Sequence, residues 1–183
     1  TYERQFPNTL RITIVERKVT AIVALSSGPV AWYLGENNVW LEADQLTVPE
    51  GKTTATVALE KATSEGKLLV TDVPATVSPV AGTTATDAEI QAVMQYQSTF
   101  SSELTSQIVS YSASSVDAIS VTLTNGVQVA LGSPTQIADK EKVILAMLKQ
   151  FPGELTYLNV RTPASPTYRQ VSTGNVQSGS GVS

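Results

Sequence analysis

Alternating apolar residues on either side of an Asn-Gly pair constrain this chain more than any other feature. Ile119, Val121 and Leu123 come before the pair, and Val127, Val129 and Leu131 follow it. A period of two marks half-buried strands, and Asn125-Gly126 between them marks a hairpin turn. A two-residue loop at Asn125-Gly126 would set Leu123 opposite Gln128 and Val121 opposite Ala130, so the apolar sets would face opposite sides. A three-residue loop of Thr124, Asn125 and Gly126 pairs 123 with 127, 121 with 129 and 119 with 131. It also puts Gly126 at the left-handed position such loops need. The three-residue loop is therefore expected.

The residues after the hairpin read as a helix and a further strand. Ser133-Pro134-Thr135-Gln136 has the form of a capping box, with proline at the first helical position. A helix is expected over 134–150, stopped by Pro152-Gly153. Ile137, Ile144, Leu145, Leu148 and Phe151 would form its buried stripe, and Lys140, Glu141, Lys142 and Lys149 its solvated side. Extended structure resumes over 155–162. In this last strand Leu158 and Val160 face one side, and Tyr157, Asn159 and Arg161 the other.

Composition excludes several chemistries. Cysteine and histidine are both absent from the 183 residues, which removes disulfides, thiolate nucleophiles, imidazole bases and the usual zinc sites. Net charge is −4 and the 12 basic residues are scattered, so no nucleic-acid surface is expected. No cofactor is expected either. No apolar run is long enough to span a bilayer, and no signal peptide opens the chain. The first residue is Thr1 rather than methionine, which suggests an excised portion of a longer protein. Abundant serine and threonine with little lysine point to an extracytoplasmic life.

Residues 2–5 read as the end of a helix, and Pro7-Asn8 as a turn. Leu10, Ile12 and Ile14 alternate along a half-buried strand over 9–15. Glu16-Arg17 interrupts it, and 20–25 continue as a more fully buried strand. An ion pair or a bulge at a strand break explains Glu16 and Arg17 better than catalysis does, because neither a nucleophile nor a second acid accompanies them. Short strands are expected at 30–34 and 39–42, a helix at 54–65 ended by Gly66, and a strand at 68–71. This small sheet lacks much of a helical layer. Pro74, Pro79 and Gly82 mark an irregular connection, the best place for a domain boundary. Thr86-Asp87-Ala88-Glu89 opens a second capped helix reaching about 106, with Ile90, Val93, Met94, Phe100 and Leu104 on its buried face. Tyr96 and Met94, at helical spacing, read as core. A strand is expected at 108–112. From 163 onwards the chain is rich in Ser, Gly and Thr and is expected to be mostly disordered, fully so beyond about 170. The fold class is therefore α+β.

Two separated motifs resemble one family. FPNTLRITIVER at 6–17, which ends on Glu16 and Arg17, is similar to the P-x-T-L-x-I-x-V-x-E-R pattern of the FtsQ/DivIB cell-division proteins. NGVQVALG at 125–132, with Gly126 and Gly132, then Lys140 and TYLNVRTP at 156–163, resembles that family's second domain. The order and spacing fit everywhere except 44–64, which has the look of an insertion. The sequence departs from the family at Val19, where proline is usual, and at Asn159, where an acidic residue is usual. Thr162 stands where some members carry an aromatic residue at a partner contact. The resemblance implies residues 1–72 as a partial POTRA domain (a small mixed sheet), with an inserted loop and helix. It implies 73–162 as a β domain of antiparallel hairpins with packed helices. It further implies a non-catalytic scaffold in the cell membrane, anchored by a single upstream span with this region on the extracytoplasmic side. The partners implied are FtsB/DivIC-like and FtsL-like division proteins, joined by strand addition to an exposed last strand at 156–162. On that reading the partner-binding residues are Tyr157, Asn159, Val160, Arg161 and Thr162.

Two other readings compete. One is a different extracytoplasmic POTRA-containing module, peptide-binding or secretion-associated. The other is a hydrolase using paired carboxylates drawn from Glu16, Asp72, Asp87, Glu89 and Asp139, which needs two of them in one cleft.

Overall fold

The structure is a computed structural model that describes residues 17–171 in full, together with the backbone strands at 2–5, 9–12 and 176–178. Strands β1 (Tyr2–Gln5) and β2 (Thr9–Ile12) pair antiparallel as a separate hairpin. Residues 2–5 are thus a strand and not the end of a helix, because the alternating Thr9–Ile12 segment gives them a backbone partner. Glu16 and the Pro7-Asn8 turn lie outside the described residues, and Arg17 is exposed.

All remaining strands join one mixed sheet. These are β3 (Val19–Leu25), β4 (Val30–Gly35), β5 (Val39–Gln45), β6 (Leu68–Val73), β7 (Ile108–Ser112), β8 (Ser120–Leu123), β9 (Gln128–Ala130), β10 (Leu155–Asn159), β11 (Thr167–Gln170) and β12 (Val176–Ser178). Their spatial order is β12-β11-β10-β9-β8-β7-β6-β3-β4-β5. The parallel pairs β3–β6, β6–β7 and β9–β10 are each separated in sequence by at least one helix, as parallel pairing requires. The fold is α+β, and one sheet joins the stretches on either side of residues 72 and 73, because β6 pairs with β7 at residues 69–71.

Strand β3 shows why both faces need cover. Ala21, Val23 and Leu25 pack into the main core, while Ile22 and Ala24 pack into a second, smaller one. Helices α2 (Ala88–Thr99) and α4 (Ile137–Gln150) lie over the main core, and the short α3 (Ser102–Thr105) adds Leu104 to it. Helix α1 (Thr54–Glu65) covers the opposite face through Ala58 and Ala62. Its bounds agree with the expected ones. The Thr53 hydroxyl caps its start by accepting the Thr56 N–H, and Gly66, at φ 62°, ends it. Lys61 fastens α1 to the sheet, 2.7 Å from Asp44 of β5 and 2.9 Å from Glu65. Hydrogen bonds to Asp44, Tyr33 and Glu65 raise its pKa.

The central hairpin has the expected register. Val121 sits opposite Val129, and the Leu123 N–H donates to Val127 C=O at 2.9 Å. Gly126 has φ +83°. Helix α2 differs from expectation: it stops at Thr99, and Asp87 stands at its N-cap without a side-chain hydrogen bond.

Helix α4 begins three residues later than the capping box suggests. Ser133 does not cap it, because its carbonyl is committed elsewhere. It accepts the Tyr96 hydroxyl at 2.6 Å and the Lys140 ammonium at 2.6 Å. Gln136, left-handed at φ 50°, becomes the N-cap, and its carbonyl accepts the Asp139 and Lys140 N–H groups. Lys140 is accordingly not solvated: it is 1% exposed, and its Nζ also donates to the Tyr96 hydroxyl at 3.0 Å.

The expectation of a mostly disordered tail needs correction as well. Thr167–Gln170 form β11, held by Tyr168, which is buried and stacks on Phe151 with ring centroids 5.0 Å apart. Pro163 and Pro166 are buried too. One anchoring ring, following two buried prolines, orders this stretch despite its polar composition.

Candidate functional site

Strand β10 and the three residues after it carry the positions singled out for partner binding, and β10 is not an edge strand. It pairs parallel with β9 on one side and antiparallel with β11 on the other. Residues 163–171 cause this by turning back along it. The Ser165 N–H donates to Thr162 C=O at 3.0 Å, and the Val171 N–H to Glu154 C=O at 2.8 Å. The Gln170 side-chain amide adds a bond to the Glu154 carboxylate at 3.0 Å.

The five residues divide by face. Val160 is fully buried, and its N–H donates to Ala130 C=O at 2.9 Å. It belongs to the core with Leu158 and cannot touch a partner, because alternation turns it inward. Tyr157 and Asn159 are half-buried on the opposite face, and Arg161 and Thr162 are exposed. Asn159 Oδ1 accepts the Arg161 N–H at 3.1 Å, a local turn that ends the strand. Arg161 then lies across Gly132, where a Cβ would come within 2.9 Å of its Cγ. Gly132, at φ +70°, is thus needed for both its backbone conformation and its missing side chain.

The registers align these side chains in cross-strand rows. One row runs Ser110, Thr122, Gln128, Tyr157, Arg169; the next runs Ser112, Ser120, Ala130, Asn159, Thr167. Arg169 is the one charged residue in the two rows, and it sits over the Tyr157 ring at 5.4 Å. Sequence reasoning missed Arg169 and the whole of β11. The signal was present as the alternating Thr-Tyr-Arg-Gln run after Pro166.

Alternation also orients the backbone of β11. The Val171 N–H points toward β10, so the Tyr168 and Gln170 backbone groups point away from it. On that outer side lies β12, with Gln177 opposite Tyr168.

The loop between β9 and α4 supports this corner. Lys140, Tyr96 and the Ser133 carbonyl tie α4 and α2 to residues 131–133. Both partners of Lys140 are neutral oxygens, and burial lowers its pKa. Burial raises that of Tyr96.

The described carboxylates named for a hydrolase have separate partners and positions. Asp72 accepts the Ser112 hydroxyl at 2.6 Å, Asp139 lies 3.6 Å from Lys142, and Asp87 and Glu89 stand at the start of α2. Among the described residues no group of three or more acidic, histidine or cysteine side chains is placed to hold a metal ion. No described helix is long and apolar enough to cross a membrane.

No curated protein matches the chain. The family described as cell division protein FtsQ/DivIB, C-terminal, matches residues 50–161. The match takes in the hairpin, α4, β10 and Arg161, and it begins within the 44–64 stretch that has the look of an insertion. It covers well over half of the chain, which therefore belongs to the FtsQ/DivIB family of cell-division proteins.

Proposed function

We propose that the chain is a non-catalytic scaffold of septum assembly that holds FtsB/DivIC-like and FtsL-like membrane proteins by strand addition at the C-terminal end of its sheet. Residues 1–72 would be the POTRA part and 73–162 the β domain. The full-length protein would be anchored by one upstream span, with this region on the extracytoplasmic side.

The observation that carries this reading is the outer side of β11. Its Tyr168 and Gln170 backbone groups point away from β10, over a core fixed by the Tyr168–Phe151 stack. A rigid strand with outward-facing backbone groups is a template for an added strand. Exposed Arg161, Thr162 and Arg169, with half-buried Tyr157 and Asn159, supply the side chains beside it. Strand β11 thus takes the docking role first expected of β10.

Binding of the FtsB/DivIC-like extracytoplasmic segment encoded by the same genome tests the proposal by calorimetry. Gln170→Pro removes an outward N–H and is expected to weaken binding more than about tenfold, since proline cannot donate to a ladder. Arg161→Glu is expected to weaken it less. Unchanged affinity in a folded Gln170→Pro protein would exclude this edge.

A further inference from the structure

The edge that the scaffold reading assigns to a partner is already covered by this chain. Strand β12 pairs antiparallel with β11, placing Thr167 opposite Ser178, Tyr168 opposite Gln177 and Arg169 opposite Val176. We infer that residues 176–178 are an intramolecular occupant of the docking edge, which an incoming partner strand must displace. The inference rests on the docking role proposed for β11, and it adds a regulatory element to that edge.

Three observations support a removable occupant. First, β12 is only three residues long, whereas the strands of the central sheet are held by helices as well as by ladders. Second, residues 172–183 read STGNVQSGSGVS, a composition with little apolar surface to bury and a high cost of ordering. Third, only a few residues of sequence separate β12 from β11, so its local concentration at the edge is high, of roughly millimolar order. A weak strand thereby holds the site against casual pairing, yet yields to a longer strand with side-chain contacts of its own. Covering an open edge in this way also guards against aggregation.

An occupant that fills the edge about 90% of the time lowers a partner's apparent affinity about tenfold, because only the open fraction can bind. Three proteins test this: the full chain, a chain ending at Val171, and the full chain with Gln177→Pro. In an antiparallel pair whose backbone groups face each other, Tyr168 and Gln177 exchange both hydrogen bonds, so proline at 177 breaks the pair without touching the core. Amide exchange at Tyr168, which faces Gln177, is expected to be slow in the full chain and at least about tenfold faster in both variants. Each variant is also expected to bind the FtsB/DivIC-like segment about tenfold more tightly than the full chain does. A synthetic peptide of residues 172–183 is expected to bind the shortened chain and to compete with the segment.

Exchange rates that do not change on truncation overturn the inference. So does faster exchange accompanied by unchanged affinity for the segment, because the tail would then cover an edge the partner does not use. A segment that binds none of the three proteins sinks the scaffold reading, and the occupant is then upheld or overturned by exchange and peptide binding alone.

Discussion

At the scale of single residues, Lys140 is the position where the structure departs furthest from simple expectation. A lysine within a helix reads as solvated, but this one is 1% exposed and bonded to the Tyr96 hydroxyl and the Ser133 carbonyl. Lys140→Ala would empty buried volume and is expected to cost about 2–4 kcal/mol in urea denaturation. Lys140→Met keeps the volume, and Tyr96 still satisfies the Ser133 carbonyl, so it should be close to neutral at pH 7. The two chains should then diverge with pH. Burial holds the folded pKa of Lys140 below the usual 10.5, so the unfolded chain binds its proton more tightly. Stability contributed by this group therefore rises with pH from the folded value up to 10.5. Tyr96 acts in the opposite sense above the usual tyrosine value of 10.0, because the unfolded chain loses that proton first. The stability difference between wild type and Lys140→Met should accordingly grow in favour of wild type as pH rises toward 10. A difference independent of pH would show that the ammonium carries no burial cost. None of this was legible at the residue, because solvation is decided by the elements that meet there, and sequence spacing along α4 reports only one of them.

At the scale of elements, local chemistry was legible where neighbours i to i+4 decide the outcome. The Gly126 turn, α1 from Thr53 to Gly66, and the alternation of Leu158 and Val160 against Tyr157 and Asn159 all followed from short-range rules. The start of α4 did not, because Tyr96, 37 positions away from Ser133, takes the carbonyl that an N-cap would use to accept the first helical N–H. The edge status of β10 failed for a similar reason: one buried ring, Tyr168, orders a polar stretch into β11. The expected alternation of side chains along this segment is therefore present, and its expected edge position is not. Gly132 and Gly126 allow the two causes of a glycine requirement to be separated. Both have positive φ, but a Cβ meets open space at Gly126 and Arg161 Cγ at 2.9 Å at Gly132. Gly126→Ala should cost about 1 kcal/mol from backbone strain alone. Gly132→Ala should cost about 2 kcal/mol, since it adds a crowding term to the same strain. Combining it with Arg161→Ser should return the cost to the Gly126 level in chemical denaturation. Equal costs for the two single variants would mean that Arg161 moves aside freely.

At the scale of the whole molecule, the question is whether the two stretches on either side of residues 72 and 73 behave as separate units. The parallel β6–β7 ladder and a shared core argue that they unfold together. Trp40, Leu34 and Val23 from the first stretch belong to one buried cluster with Tyr96, Tyr111 and Ile144 from the second. Tyr111 lies at the seam, fully buried, with its hydroxyl 3.2 Å from Gln97 Oε1. Trp32 and Trp40, which meet edge to face at 6.2 Å, report on the first stretch by fluorescence. Far-UV circular dichroism reports mainly on the helices, of which α2 and α4 belong to the second. The two signals are expected to share one urea midpoint, as a two-state transition requires. Tyr111→Ala should shift both midpoints together and lower stability by about 3–5 kcal/mol, the usual cost of truncating a buried aromatic. If the tryptophan midpoint stayed in place while the helical signal moved, the seam would be a contact between independent units. The tail strand on one end of the sheet would then have no mechanical connection to the other. A shared midpoint would make the sheet a single body, so that displacing β12 at one edge acts on a framework continuous as far as β5.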